Sequence, residues 1–230
     1  MRTALLVIAT TPPYWGYAKR LMESADKFLF PHDTILFTDN PEQSDLALRQ
    51  FAIPTRKFPE ATLFRYHIIC DYLKFLGEYD YLFYSDADML FVDTVAPEEI
   101  LSGGITAVEH PGFVGTIGTP ETRKESTAYC PKPRTYFCGG FNGGTAQAFL
   151  NMAVDIKWQT TFDHQKGIKA IWNDESHLNR YLYDNPPARV LSPAFCYPQD
   201  ANEYYKHIWE KGGGYKNVVP KLLAMTKGRA

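Results

Sequence analysis

Tyr79-Asp80-Tyr81-Leu82-Phe83-Tyr84-Ser85-Asp86-Ala87-Asp88 turns from apolar to acidic within two residues, and the organisation of the 230-residue chain can be read outward from that change. The run Tyr79 to Tyr84 is short and continuously apolar apart from Asp80, as a strand buried on both faces of a parallel sheet would be. Upstream, Ala4 to Ala9 (ALLVIA) and Thr34 to Phe37 are two further runs of this kind. Between them Tyr17, Ala18, Leu21, Met22, Ala25, Phe28 and Leu29 recur at three- and four-residue spacing, which predicts an amphipathic helix. Thr38-Asp39-Asn40-Pro41 is a turn signal, and Thr62 to Leu76 reads as a helix with Thr62 as its N-cap. Strand, helix, strand in this rhythm predicts an α/β fold with a mainly parallel, Rossmann-like sheet flanked by helices. Ligands bind such sheets beyond the carboxyl ends of the strands, which is where Asp86 and Asp88 stand.

Downstream, residues 111–134 hold four prolines and three glycines without a period, which marks a functional or a mobile loop. Gly139, Gly140, Gly143 and Gly144 follow, where backbone must turn sharply or approach something closely. Helices are expected over about 145–158 and 174–183. The last thirty residues, with Gly212-Gly213-Gly214 and a basic excess that ends in Lys227 and Arg229, are expected to be partly ordered at best.

Hydrophobic types make up 45% of the chain, enough for one full core, so a single domain over 1–230 is expected. A net charge of −2 argues against a nucleic-acid binder or an acidic-tail protein. Fifteen Tyr, fifteen Phe and four Trp suit an enzyme that stacks sugars on rings, although a large core accounts for most of them. Cys70, Cys130, Cys138 and Cys196 show neither metal spacing nor a disulfide framework. The N-terminal apolar run is too short for a signal peptide and no stretch reaches membrane-spanning length, so a soluble, reduced, cytoplasmic protein without a membrane anchor is expected.

Asp86 and Asp88, two residues apart just past a strand, can both turn toward one hard cation such as Mg²⁺ or Mn²⁺, which takes oxygen ligands and shares them with phosphate. A solvated turn would also explain them. A HAD-type phosphatase uses Asp-x-Asp too, but after its first strand and continued by Gly-Thr rather than Met89-Leu90-Phe91. Asp174 and Glu175 open a helix, where the dipole alone favours acids, yet a carboxylate there could also stabilise oxocarbenium charge. His110 has an ordinary reading as a turn residue, and Arg65 as a surface ion pair. Contact between Arg65 and a pyrophosphate or the metal-site carboxylates is its sharper reading. His177 has no third ligand in view for zinc.

Together these motifs resemble glycosyltransferase family 6, the family of the histo-blood-group A and B transferases and α-1,3-galactosyltransferase. The matching segments are Phe37-Thr38-Asp39, Asp86-Ala87-Asp88-Met89, His110-Pro111-Gly112-Phe113, Ala128-Tyr129-Cys130-Pro131-Lys132, Gly139-Gly140-Phe141-Asn142-Gly143-Gly144, Trp172-Asn173-Asp174-Glu175-Ser176-His177-Leu178-Asn179 and Val190-Leu191-Ser192-Pro193. The resemblance implies a single-domain GT-A fold and a retaining transferase that moves GalNAc or Gal from UDP to an acceptor glycan in α-1,3 linkage. Asp86 and Asp88 would hold Mn²⁺ (or Mg²⁺) on the UDP pyrophosphate. Thr10 and Tyr14 would lie by the uracil, Arg65 on the nucleotide side, and Asp174 on the donor sugar. Glu175 would be the nucleophile or oxocarbenium stabiliser, while His110 and Trp172 would meet the acceptor. Cys138, Gly139 and Gly140 match the stretch that selects the donor, with Gly140 leaning toward GalNAc. With no membrane anchor expected, the chain resembles the short microbial or viral members, and retention of Asp86 and Asp88 sets it apart from the many bacterial members with Asn-x-Asn. Tyr197-Pro198 departs from the acidic acceptor contact of the animal enzymes. A UDP-sugar hydrolase and a non-catalytic carbohydrate-binding homologue would share most of these residues.

Overall fold

Every residue of Thr3–Ala9 (β1) is buried, with Leu5 and Val7 in one core and Leu6 and Ile8 in the other. This strand lies inside a seven-stranded sheet of the computed structural model, which describes residues 1–41, 47 and 49–226. Lys227 and Arg229 of the expected basic tail lie outside the described residues. Alternating side chains of a strand point to opposite faces, so an unbroken apolar run is stable only where both faces are covered. Each fully buried Leu or Ile contributes about 1.5–3 kcal/mol, and one such strand carries several.

The helix α1 (Pro12–Phe28) starts before the apolar period does, because Pro12 and Pro13 occupy a first turn whose N–H groups have no helical partner anyway. It buries Ala18, Leu21, Met22 and Ala25. β2 (Asp33–Thr38) pairs in parallel with β1, and β3 (Arg49–Ala52) in parallel with β2. The helix expected over Thr62–Leu76 is instead three short ones, α2 (Glu60–Leu63), α3 (Arg65–Cys70) and α4 (Leu73–Leu76). Thr62 is inside α2, and its hydroxyl donates to the Pro59 carbonyl (2.9 Å) rather than capping. The break at Phe64 sends Arg65 into the protein, where its polar contacts outweigh the preference for a continuous helix.

β4 (Tyr81–Asp86) is parallel to β1 and ends on Asp86 itself, followed by β5 (Met89–Phe91). After α5 (Pro97–Ile100) come β6 (Ile105–Glu109) and β7 (Phe137–Thr145). β7 is the glycine-rich stretch expected either to turn or to approach something closely; it is a central strand, antiparallel to β4 and β6, and the close approach is what it shows. A Cβ on Gly143 would come within 2.3 Å of the Phe83 ring, so the apolar run of β4 requires the glycine beside it. Strand order is β3-β2-β1-β4-β7-β6-β8, with β8 (Arg189–Leu191) parallel to β6.

The irregular stretch 111–134 is tied down by two buried carboxylates. Glu121 accepts from Arg123 and from the Ile171 N–H, and Asp163 accepts from the Ser126 hydroxyl (2.6 Å) and the Thr127 N–H (2.9 Å). Asp163 lies on α6 (Ala146–Gln165), which runs beyond its expected end and is capped by Thr145. α7 (Asn173–Asp184) packs against α6 and β7. After a 3₁₀ turn (Pro193–Cys196), β9 (Tyr197–Pro198) and α8 (Glu203–Gly212), β10 (Leu222–Ala224) joins β5 and β9 in a small second sheet. Among the described residues no helix is long and apolar enough to cross a membrane.

Candidate active site

The carboxyl end of β4 and the start of α7 meet over an irregularity in β7. Ala107 pairs with Asn142, but the next residue of β6, Val108, pairs with Cys138, so Gly139, Gly140 and Phe141 have no partner on β6. A bulge of this kind releases backbone groups from the ladder, and both groups of Gly139 are used elsewhere. Its N–H donates to Glu175 Oε2 (2.8 Å) and its carbonyl accepts from Arg65 Nη1 (2.9 Å).

Arg65 is buried, with three partners: Asp174 Oδ2 at 2.7 Å, Asp86 Oδ1 at 3.1 Å and the Gly139 carbonyl. Its guanidinium also lies 4.5 Å from the centre of the Tyr84 ring, and the Tyr84 hydroxyl donates to Asp86 Oδ1 (2.8 Å). Asp86, Asp174 and Glu175 thus surround a single buried cation, which leaves net negative charge. Burial pushes the Asp174 carboxyl up to about 7 against the pull of Arg65, with Asp86 and Glu175 adding to the rise. Burial also raises Glu175, against the Gly139 N–H and the Tyr136 hydroxyl, which donates to Glu175 Oε1 at 3.0 Å.

In front of this cluster is a cavity of about 260 Å³. Thr10 and Tyr14 line it from the end of β1 and the start of α1, Asp86 and Asp88 from the end of β4, and Arg56, Lys57 and Thr62 from the segment leading into and through α2. Thr10 is fixed by donating to the Arg56 carbonyl (2.5 Å). Thr11, at φ 75°, is held by its N–H to the Asp39 carboxylate, which also accepts from Trp15 Nε1. Gly140 faces the same ground: a Cβ there would meet Asp86 Oδ2 and Met89 Sδ at 3.6 Å and Cys196 Sγ at 3.7 Å. Those are ordinary contacts, so the protein's own packing does not force glycine at this position.

The expected residues therefore fall into two groups that share Asp86. Arg65, Asp86, Gly139, Asp174 and Glu175 form the buried cluster, while Thr10, Tyr14, Asp86 and Asp88 line the cavity. His110 follows β6 directly, and its ring lies 5.7 Å from that of Tyr136, one hydrogen bond from Glu175. Burial lowers His110 to about 4, so its imidazole is neutral at ordinary pH. Trp172 is at the start of α7 and is 48% exposed. Sequence reasoning gave no role to Tyr136, Asn179, Arg56 or Lys57.

The family model of glycosyltransferase family 6 matches residues 3–208. The chain belongs to glycosyltransferase family 6. Among its family relatives, the histo-blood group ABO system transferase 1 of Rattus norvegicus is 33% identical over 214 residues, covering 84% of this chain and 60% of that protein. The globoside alpha-1,3-N-acetylgalactosaminyltransferase 1 of Homo sapiens is 28% identical over 202 residues, covering 80% and 58%. The O-antigen biosynthesis glycosyltransferase WbnI of Escherichia coli is 27% identical over 197 residues, covering 81% and 84%. The chain spans about three fifths of the length of the first two of these relatives. Family membership agrees with the α/β architecture and the mainly parallel sheet expected from the sequence.

Proposed function

We propose that this chain is a retaining glycosyltransferase that moves GalNAc or Gal from UDP to a hydroxyl of an acceptor glycan in α-1,3 linkage. The observation that carries this reading is the grip on Glu175: Tyr136 and the Gly139 N–H each hold one carboxylate oxygen. A carboxylate fixed at both oxygens before the substrate arrives needs no reorganisation as positive charge develops at the anomeric carbon. The C1–O bond to UDP breaks with its electron pair leaving on the phosphate oxygen, and a new C1–O bond forms to the acceptor oxygen, whose proton is released. Thr10 and Tyr14 bind the base side of the donor, and Arg56 and Lys57 face its phosphates. Asp174 meets the sugar, His110 and Trp172 meet the acceptor, and glycine rather than a larger residue at Gly140 leans toward the N-acetyl substituent. Protein names of relatives 27–33% identical, among them an N-acetylgalactosaminyltransferase, support this class of chemistry.

Asp86 and Asp88 fit a divalent cation. The described side-chain hydrogen bond and ion pair of Asp86 both fall on Oδ1, and Asp86 and Asp88 both line the cavity. No described group of three His, Cys, Asp or Glu could close a cation off, so its remaining ligands would be phosphate oxygens and water. Mn²⁺ or Mg²⁺ held there would offset charge on the leaving phosphate. The test is release of UDP from UDP-GalNAc and UDP-Gal with and without Mn²⁺, chelator and a panel of acceptor sugars. Asp88→Asn is expected to lower metal-dependent turnover by about 10²-fold or more with an unchanged melting temperature. Turnover indifferent to both chelator and Asp88→Asn would overturn the metal role, and UDP release unaffected by any acceptor would make the protein a hydrolase.

A further inference from the structure

Asn179 is buried about halfway along α7, and both ends of its side-chain amide are engaged. Oδ1 accepts from the Phe137 N–H (2.8 Å), and Nδ2 donates to the Phe137 carbonyl (2.8 Å) and to the Glu175 carbonyl (2.9 Å). β4 pairs with β7 only from Phe141 to Thr145, so Phe137 lies beyond its reach. The amide therefore does for Phe137 what a neighbouring strand would do, and it does so from the helix that carries Glu175.

Residues close to Phe137 hold the Glu175 carboxylate: Tyr136 just before it, by its hydroxyl, and Gly139 two residues after it, by its N–H. Phe137, Glu175 and Asn179 thus close a ring of hydrogen bonds joining the first turns of α7 to the bulged end of β7. Within that ring the Gly139 N–H is free to bond Glu175 because the bulge removes its partner on β6. If the helix slid along the strand, both carboxylate contacts would be lost together.

We propose that Asn179 is a positioning residue, a clamp that sets where the Glu175 carboxylate sits; the catalytic meaning of this rests on the role given to Glu175 above. Side-chain amides suit the task because one group supplies both a donor and an acceptor in a plane, matching both backbone groups of a single residue. An aspartate of the same shape keeps the bond from the Phe137 N–H but turns the other contact into carboxylate against two carbonyls.

Asn179→Asp and Asn179→Ser are compared with the parent and with Glu175→Gln, reading kcat and KM for the UDP-sugar, melting temperature, and amide hydrogen exchange at Phe137 and Gly139. The serine variant buries no charge and serves if the aspartate variant does not fold. The expected result is kcat lowered by about 10- to 100-fold, since misplacement by about 1 Å costs on the order of 10²-fold. KM should stay within about twofold, because the cavity residues are untouched, and exchange should quicken at Phe137 and Gly139. Parental kcat in both Asn179 variants, alongside a loss in Glu175→Gln, overturns the clamp and leaves the role of Glu175 standing. Parental exchange at both amides overturns it as well. Parental turnover in Glu175→Gln removes the role of Glu175, and the clamp's catalytic meaning goes with it.

Discussion

Arg65 and Arg56 lie close together in the sequence and serve two different walls, one of the buried cluster and one of the cavity. Arg65 is 3% exposed and already committed to Asp174, Asp86 and the Gly139 carbonyl. Arg56 is half-buried, rests its guanidinium over the Phe64 ring at 5.0 Å, and lines the cavity beside the exposed Lys57 and Phe58 without an ion pair among the described residues. One wall is finished before any ligand arrives, and the other is left for a ligand to complete. That division suits a reaction in which charge develops at one end of a substrate while the other end is only held. Preorganised groups are worth most where the charge changes, whereas binding groups can adjust as the ligand enters.

The largest effect should come from breaking the finished wall. Arg65→Met removes the one cation from a buried cluster of carboxylates, and deleting one partner of a buried ion pair costs about 3–5 kcal/mol. Urea unfolding at pH 7.5 should show that loss together with loss of turnover. A destabilisation below about 1 kcal/mol, the range of surface pairs, would mean the cluster is wetter than its burial indicates.

A second measurement sharpens the contrast through pH. The folded protein raises Asp174 to about 7, so the native state binds a proton more tightly there than the unfolded chain does. Stability from this group is therefore greatest at low pH and is lost as pH rises from about 4, the unfolded value, through about 7, and Glu175 acts in the same direction. Asp174→Asn cannot titrate, so its stability should fall less steeply than the parent's between pH 4.5 and 7.5. Parallel slopes for the two proteins would show that Asp174 stays ionised against Arg65 throughout.

The same division governs what could be read from the sequence. β1, β2 and β4 were legible because burial on both faces leaves a continuous apolar run. β7 was not legible as a strand, because the closeness of Phe83 demands glycine at Gly143, and a glycine-rich run carries no strand pattern even where a close approach is expected of it. Acidic residues at the end of β4 and the start of α7 stood out by type and position. Tyr136 and Asn179 did not, since their significance lies in hydrogen bonds to residues 39 and 42 positions away, and nothing in local spacing marks such partners. The segment through Asn179 did carry the family resemblance, which was the one available signal. Arg65 was legible as a contact to a metal-site carboxylate but not as the centre of the cluster, because its helix reads as unbroken until Phe64 is seen to turn it inward.

The smallest effect should come from the unfinished wall. Arg56→Ala leaves the Asp174, Asp86 and Gly139 contacts of Arg65 in place, since Arg56 takes part in none of them. Its backbone carbonyl, which holds the Thr10 hydroxyl, survives the substitution too. What goes is a partly exposed cation beside the cavity and its contact with Phe64, where exposed cation–π pairs contribute about 0.5–1 kcal/mol. The melting temperature should therefore hardly move, and KM for the UDP-sugar should rise by about threefold to tenfold with kcat nearly unchanged. Higher salt should shrink the difference between variant and parent, because attraction between a half-exposed cation and phosphate is screened. A fall in kcat with KM unchanged would put Arg56 among the groups that act on developing charge, and the two walls would no longer differ in kind.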